Sequence, residues 1–147
     1  MNNIMRSYVL GLLSRREYSR VELIKKLILK GLEKKTIELI LQDLENKGLQ
    51  SDLRFAENYV NMRRRRGYGP MRILIELKKR GIDKNIAVMC VNPSSSSWLK
   101  LAIITKNKKF GTEYPQDQIQ YAKQVRYLHY KGFTNIHINT VLDHEEN

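Results

Sequence analysis

Cysteine is almost missing from this chain: Cys90 is the only one in 147 residues. A lone thiol excludes an intramolecular disulfide. Its place in the apolar run 86–91 predicts a buried, inert side chain, consistent with a reducing cytoplasm. Long hydrophobic stretches are missing too, since no run approaches the roughly 20 apolar residues that cross a bilayer. The first residues, Met1, Asn2, Asn3, Ile4, Met5 and Arg6, lack the charged-then-apolar order and cleavage site of a secretory signal, so a cytoplasmic location without membrane attachment is expected. Acidic residues are scarce, with 15 Asp and Glu against 27 Lys and Arg for a net charge of +12. Such an excess concentrates polyanions and predicts salt-sensitive association with phosphate backbones.

Catalytic machinery is also lacking. His129, His137 and His144 have neither the spacing nor the cysteine and carboxylate company of a metal centre, so no metal or other cofactor is expected. Ser94, Ser95, Ser96 and Ser97 form a linker with no glycine elbow around them. Gly67-Tyr68-Gly69-Pro70 lacks the remaining glycine and lysine of a P-loop and follows no strand, which leaves a tight turn between helices. No activated nucleophile can be assembled, and the expected class is a non-enzymatic one.

What is present is helical spacing, with an apolar share of 41% that suffices for a core. No period-two strand stands out. Ser19, with Glu22 three residues later, is a capping box before Leu23, Ile24, Leu27 and Ile28, and Gly31 ends that helix. Ile37, Ile40, Leu41 and Leu44 mark the next helix, which closes at Gly48. Phe55, Ala56, Tyr59 and Val60 mark another, running into Gly67, and Pro70 suits the first turn of its successor. Asp83 caps the segment 84–91. Beyond the break at 92–97, Trp98, Leu99, Ala102 and Ile103 begin a further helix. Tyr121, Val125 and Leu128, and then Ile136, Ile138, Val141 and Leu142, mark the last two.

The pattern repeats. Leu27-x-x-Lys30-Gly31-Leu32 returns as Leu77-x-x-Arg80-Gly81-Ile82 and as Leu128-x-x-Lys131-Gly132-Phe133. After each glycine an apolar set follows in phase: Ile37, Ile40, Leu41; Ala87, Cys90, Val91; Ile138, Val141, Leu142. Ser19 and Gly69, each at a helix start, stand equally far before the first two glycines. The expected fold is therefore all-α, with three tandem three-helix units at residues 1–50, 51–92 and 93–147 in an elongated, curved array.

Arg63-Arg64-Arg65-Arg66 is the densest charge run. Cations complement the negative end of a helix dipole. Four consecutive residues nevertheless sweep more than one turn, so some stems must cover apolar surface while their heads reach water. Tyr68, projecting from a glycine-flanked turn beside them, can stack on a partner's base or arginine, or pack under the next helix.

These residues resemble a known family. Asp52-x-Arg54-Phe55-Ala56-x-x-Tyr59-Val60, followed by Arg63, Gly67-Tyr68-Gly69-Pro70-x-Arg72-Ile73, Glu76-Leu77 and Gly81-Ile82, is similar to the signature of RecX regulatory proteins. The first unit adds Ser19-x-x-Glu22-Leu23 and the third adds Trp98, Lys109-Phe110-Gly111 and Lys131-Gly132-Phe133. The chain departs from the family pattern at Gln50-Ser51-Asp52 and over 90–97, both less acidic than usual. The resemblance implies a monomeric regulator of DNA repair, recombination and the SOS response. Its implied action is to bind the RecA recombinase filament on single-stranded DNA and to inhibit strand exchange and ATP hydrolysis. Carried onto this sequence, Arg63, Arg64, Arg65, Arg66, Tyr68 and Arg72 become the expected contact surface. Arg15, Arg16, Lys25, Lys26, Lys123 and Arg126 would extend it along a concave side. A sequence-independent DNA-binding protein remains the alternative that charge alone supports.

Overall fold

The computed structural model describes residues 2–143, so His144 and the end of the third unit lie outside the described residues. Among the described residues there are nine α-helices and no strand: α1 (Asn2–Leu13), α2 (Arg20–Leu29), α3 (Lys34–Asn46), α4 (Asp52–Arg65), α5 (Pro70–Lys79), α6 (Lys84–Val91), α7 (Ser97–Phe110), α8 (Gln118–Lys131) and α9 (Asn135–Leu142). None is long and apolar enough to cross a membrane. The chain divides into two compact units, one of Met1–Tyr59 with Leu77–Cys90 and one of Val60–Glu76 with Val91–Asn147.

In the first unit the i, i+4 leucines of α2 and the matching stripe of α3 face each other. Val9, Leu23, Leu27, Leu41 and Leu44 are wholly buried there, with Ile37, Ile40 and Tyr18 beside them. Each buried aliphatic side chain contributes about 1.5–3 kcal/mol. Ser19 caps α2 as expected: its Oγ accepts from the Glu22 N–H at 3.1 Å, and the Glu22 carboxylate accepts the Ser19 N–H at 3.0 Å. The same hydroxyl donates to the Arg80 carbonyl at 2.8 Å. That fastens the start of α2 to the turn that ends α5. Gly81, in that turn, has φ +80, and a Cβ there would strike the Val21 side chain.

The second unit repeats the device with backbone in place of side chain. The Gly69 N–H donates to the Lys131 carbonyl at 2.7 Å, and the Met71 N–H donates to the Gly132 carbonyl at 2.9 Å. The donors left over at the start of α5 thus meet the carbonyls left over at the end of α8. The approach is so close that a Cβ on Gly69 would lie 2.5 Å from the Gly132 carbonyl carbon, and one on Gly132 would lie 2.4 Å from the Arg72 Cβ. Around this junction Leu128, Phe133, Ile138, Val141, Leu142 and Ala102 form the core. Trp98 is fully buried, its indole N–H donating to the Val91 and Asn92 carbonyls, both at 3.0 Å.

Four apolar expectations are corrected. Ile28, Ile103 and Ile136 point to solvent, each with more than a third of its surface exposed. They lie at the flanks of their helical stripes, where the partner helix no longer reaches. Cys90 is half-buried rather than buried. The surrounding burial still raises its thiol pKa and keeps it protonated.

Candidate functional site

The arginine run occupies the last turn of α4 and the turn beyond it, and Gly67 (φ +81) reverses the chain. Its four members do different things. Arg63 turns inward and pairs with Glu76 of α5, its Nε and Nη2 donating at 3.1 and 2.9 Å, with only 12% and 16% of the two side chains exposed. Arg64 lies over the Trp98 ring at 4.3 Å. Arg65 and Arg66 are exposed.

Tyr68 is enclosed by cations. Arg63 and Lys131 stand 3.8 Å from its ring centroid and Arg72 stands 4.5 Å away. Arg72 also donates to the Tyr130 carbonyl at 3.0 Å, covers the Tyr130 ring at 4.7 Å and approaches Glu76 at 3.5 Å. Tyr68, half-buried, is thus a cation–π hub for side chains of its own unit. Lys131 is held there with its Nζ donating to the Arg66 carbonyl at 3.2 Å. Burial, and then repulsion from Arg72 and Arg63, lowers its pKa.

Between the end of α4 and the pair α7–α8 lies an open groove of about 370 Å³. Arg64, Arg65, Arg66 and Gly67 form one wall. Leu101, Ile104, Thr105, Lys108 and Lys109 from α7 form another, and Tyr127 and Lys131 from α8 close it. Among the described residues, six cations face this space and no carboxylate lines it. The arrangement accumulates positive potential over a partly apolar floor, a combination suited to an extended polyanion.

Of the residues expected to make a contact surface, Arg64, Arg65 and Arg66 line the groove, while Arg63, Tyr68 and Arg72 form its buttress. Lys123 and Arg126 are exposed on α8 outside the lining. Arg15, Arg16, Lys25 and Lys26 belong to the first unit. There Arg16 pairs with Glu22 at 3.1 Å and covers the Tyr18 ring at 3.6 Å, Lys26 stands 5.9 Å from the same ring, and Arg15 and Lys25 are exposed. Lys108, Lys109 and Lys131 were missing from the expected surface. Lys131 carried a signal, because it holds the repeat position of Lys30 and Arg80. Lys109 stood only within the motif Lys109-Phe110-Gly111 and Lys108 carried no signal, since only the packing of α7 brings them opposite the arginines.

Two family models match the chain: the first three-helix domain of RecX over residues 6–44 and the second over residues 51–88. A regulatory protein RecX of Legionella pneumophila is 39% identical over 124 residues, covering 84% of this chain and 83% of its own length. This chain belongs to the RecX family. The RecX of Pseudomonas fluorescens is 38% identical over 138 residues, covering 94% of this chain and 89% of that protein. The crystal structure of RecX from Lactobacillus salivarius superposes with a TM-score of 0.83 over 95% of this chain and 93% of that one. At 23% identity it supports the RecX fold alone. The relatives bear the name of regulatory proteins, and Arg63, Tyr68 and Arg72, among the residues on which the resemblance rests, build the buttress of this chain's groove.

Proposed function

We propose that this RecX-family chain binds the RecA recombinase filament assembled on single-stranded DNA and modulates it, mostly by inhibiting strand exchange and ATP hydrolysis, in the cytoplasm and without catalysis of its own. Membership of a family of regulatory proteins carries this reading. The basic groove supplies the physical means, because a nucleoprotein filament offers both phosphate and carboxylate to six converging cations. Three tandem units at 1–50, 51–92 and 93–147 are part of the same proposal.

A sequence-independent DNA-binding protein is the second reading, favoured by the absence of any carboxylate in the groove lining among the described residues. One titration separates them. The chain is added to RecA-driven, DNA-dependent ATP hydrolysis and, separately, to DNA alone, each at two salt concentrations. Inhibition well below the concentration that saturates naked DNA supports filament recognition. Inhibition that merely tracks coverage of DNA, and disappears with it at the higher salt, supports the alternative.

A further inference from the structure

The groove's lining is chemically one-sided. Arginine and lysine side chains are donors with no acceptor capacity. Of the few acceptors nearby, the Gly67 carbonyl already receives the Thr105 hydroxyl at 3.4 Å. An acidic peptide laid in such a groove would bring one backbone N–H per residue and find few side-chain acceptors beyond the Thr105 and Tyr127 hydroxyls. Each N–H that docking buries against the walls without a partner costs about 1–3 kcal/mol. A phosphodiester backbone brings acceptors only, so its needs match what the walls provide.

The floor narrows the class further. Ile104 is 61% exposed, although it sits among cations. Tyr127 is half-buried beside it, held edge-on against Phe110 with ring centroids 5.3 Å apart. A double helix turns its bases inward and would leave this apolar floor wet. A single strand can set a base or sugar on it while its phosphates meet the cations, the pattern by which single-stranded nucleic acid is held without sequence preference. The open volume of about 370 Å³ suits one strand at this point.

We infer that this groove is a single-strand site, in which Arg65, Arg66, Lys108 and Lys109 hold successive phosphates and Ile104 and Tyr127 receive a base or sugar. The inference deepens the proposed function and rests on it in one respect, that the target assembly contains single-stranded DNA.

The test is fluorescence anisotropy of a labelled oligo-dT with the full chain, comparing R65E/K108E with K34E/K35E. The second variant carries the same charge change on exposed lysines of the first unit. R65E/K108E is expected to bind at least tenfold more weakly. Its slope of log affinity against log salt should fall by about 1.4, about 0.7 for each single-strand phosphate that the variant no longer neutralises. K34E/K35E should stay within about threefold, the size of an unspecific surface effect. Unlabelled duplex of equal length should compete less well than oligo-dT, and poly-glutamate less well still. Equal losses in the two variants, or competition by duplex or poly-glutamate as strong as by oligo-dT, overturns the site. Circular dichroism qualifies the variants, and R65Q/K108Q replaces the reversal if helicity drops. The RecA titration is run on the same samples. Wild-type chain that binds oligo-dT through the groove yet leaves RecA unaffected sinks the filament reading and keeps the site. Chain that inhibits RecA while R65E/K108E binds oligo-dT normally does the opposite.

Discussion

Not every positive charge in a basic protein is available to a partner, and this chain shows how the count divides. Lys106 is 3% exposed and donates to the Gly111 and Glu113 carbonyls at 2.8 and 2.7 Å, so it pins the loop after α7. Burial lowers its pKa. Arg20 pairs with Glu38 and Glu45, both at 2.6 Å. Arg63 is committed to Glu76 and Tyr68. Removing it leaves a mostly buried carboxylate short of its main partner, and Arg63→Ala should cost about 3 kcal/mol. Arg65→Ala should stay within about 0.5 kcal/mol, as surface changes do. Urea denaturation of both variants checks the contrast, and equal stabilities would contradict it. The four arginines were legible as a cluster in the sequence. Their division into structural and available members was not, because it depends on where Glu76 and Trp98 stand in three dimensions.

A second residue-scale case is His137. It occupies the third position of α9, where its Nδ1 accepts the Thr134 N–H at 3.4 Å while the Thr134 hydroxyl accepts the His137 N–H. Only neutral imidazole can accept in this way, and burial lowers the pKa below its ordinary 6.5. The folded chain therefore binds the proton more weakly than the unfolded chain. The associated stability is fully present above pH 6.5 and is lost as pH falls through the lower folded-state value. The melting temperature should drop over that interval on acidification. His137→Gln, which keeps an acceptor oxygen without titrating, should flatten the drop. An unchanged pH profile in the variant would contradict the assignment. This role of His137 is not legible in the sequence, because a histidine in the glutamate position of a capping box is not a usual signal.

At the scale of elements, the informative comparison is among the glycines that close α2, α5 and α8. Gly31, Gly81 and Gly132 all have φ near +80 to +103. Nothing lies within 4 Å of a Cβ placed on Gly31, whereas Gly81 and Gly132 are pressed by Val21 and by Arg72. Gly31→Ala should thus cost only the left-handed strain, about 1–2 kcal/mol. Gly132→Ala adds a backbone collision and should cost about 1–3 kcal/mol more. Thermal unfolding of the two variants tests this, and equal losses would count against the junction. The in-phase repeat made these helix ends readable from the sequence, since a glycine, the basic residue before it and the apolar set after it recur together. What the repeat did not disclose is that Ser19 and Gly69 reach the carbonyls before Gly81 and Gly132. Each of those hydrogen bonds joins residues about 60 positions apart, with no local signature. The strand-free helical class and the nine helix positions among the described residues followed from apolar spacing, which errs only at stripe edges such as Ile28 and Ile136.

At the scale of the molecule, a net charge of +12 favours association with a polyanion in general but does not select one. Selection requires charge to be gathered, and the second unit gathers it by closing α4 against α7 and α8. Half of the groove, the arginine wall, was visible as a motif. The lysine wall was not, because Lys108 and Lys109 lie in the last turn of α7 with no repeat partner to flag them. If the groove is where the chain engages its target, general salt sensitivity should coexist with strong dependence on a few positions.

The most direct measurement is the concentration of chain that half-inhibits DNA-dependent ATP hydrolysis by RecA, compared between wild type, R65E/K108E and K34E/K35E at one salt concentration. A requirement for at least about tenfold more R65E/K108E, with K34E/K35E near wild type, is the predicted result. Superimposable inhibition curves for wild type and R65E/K108E would contradict the account.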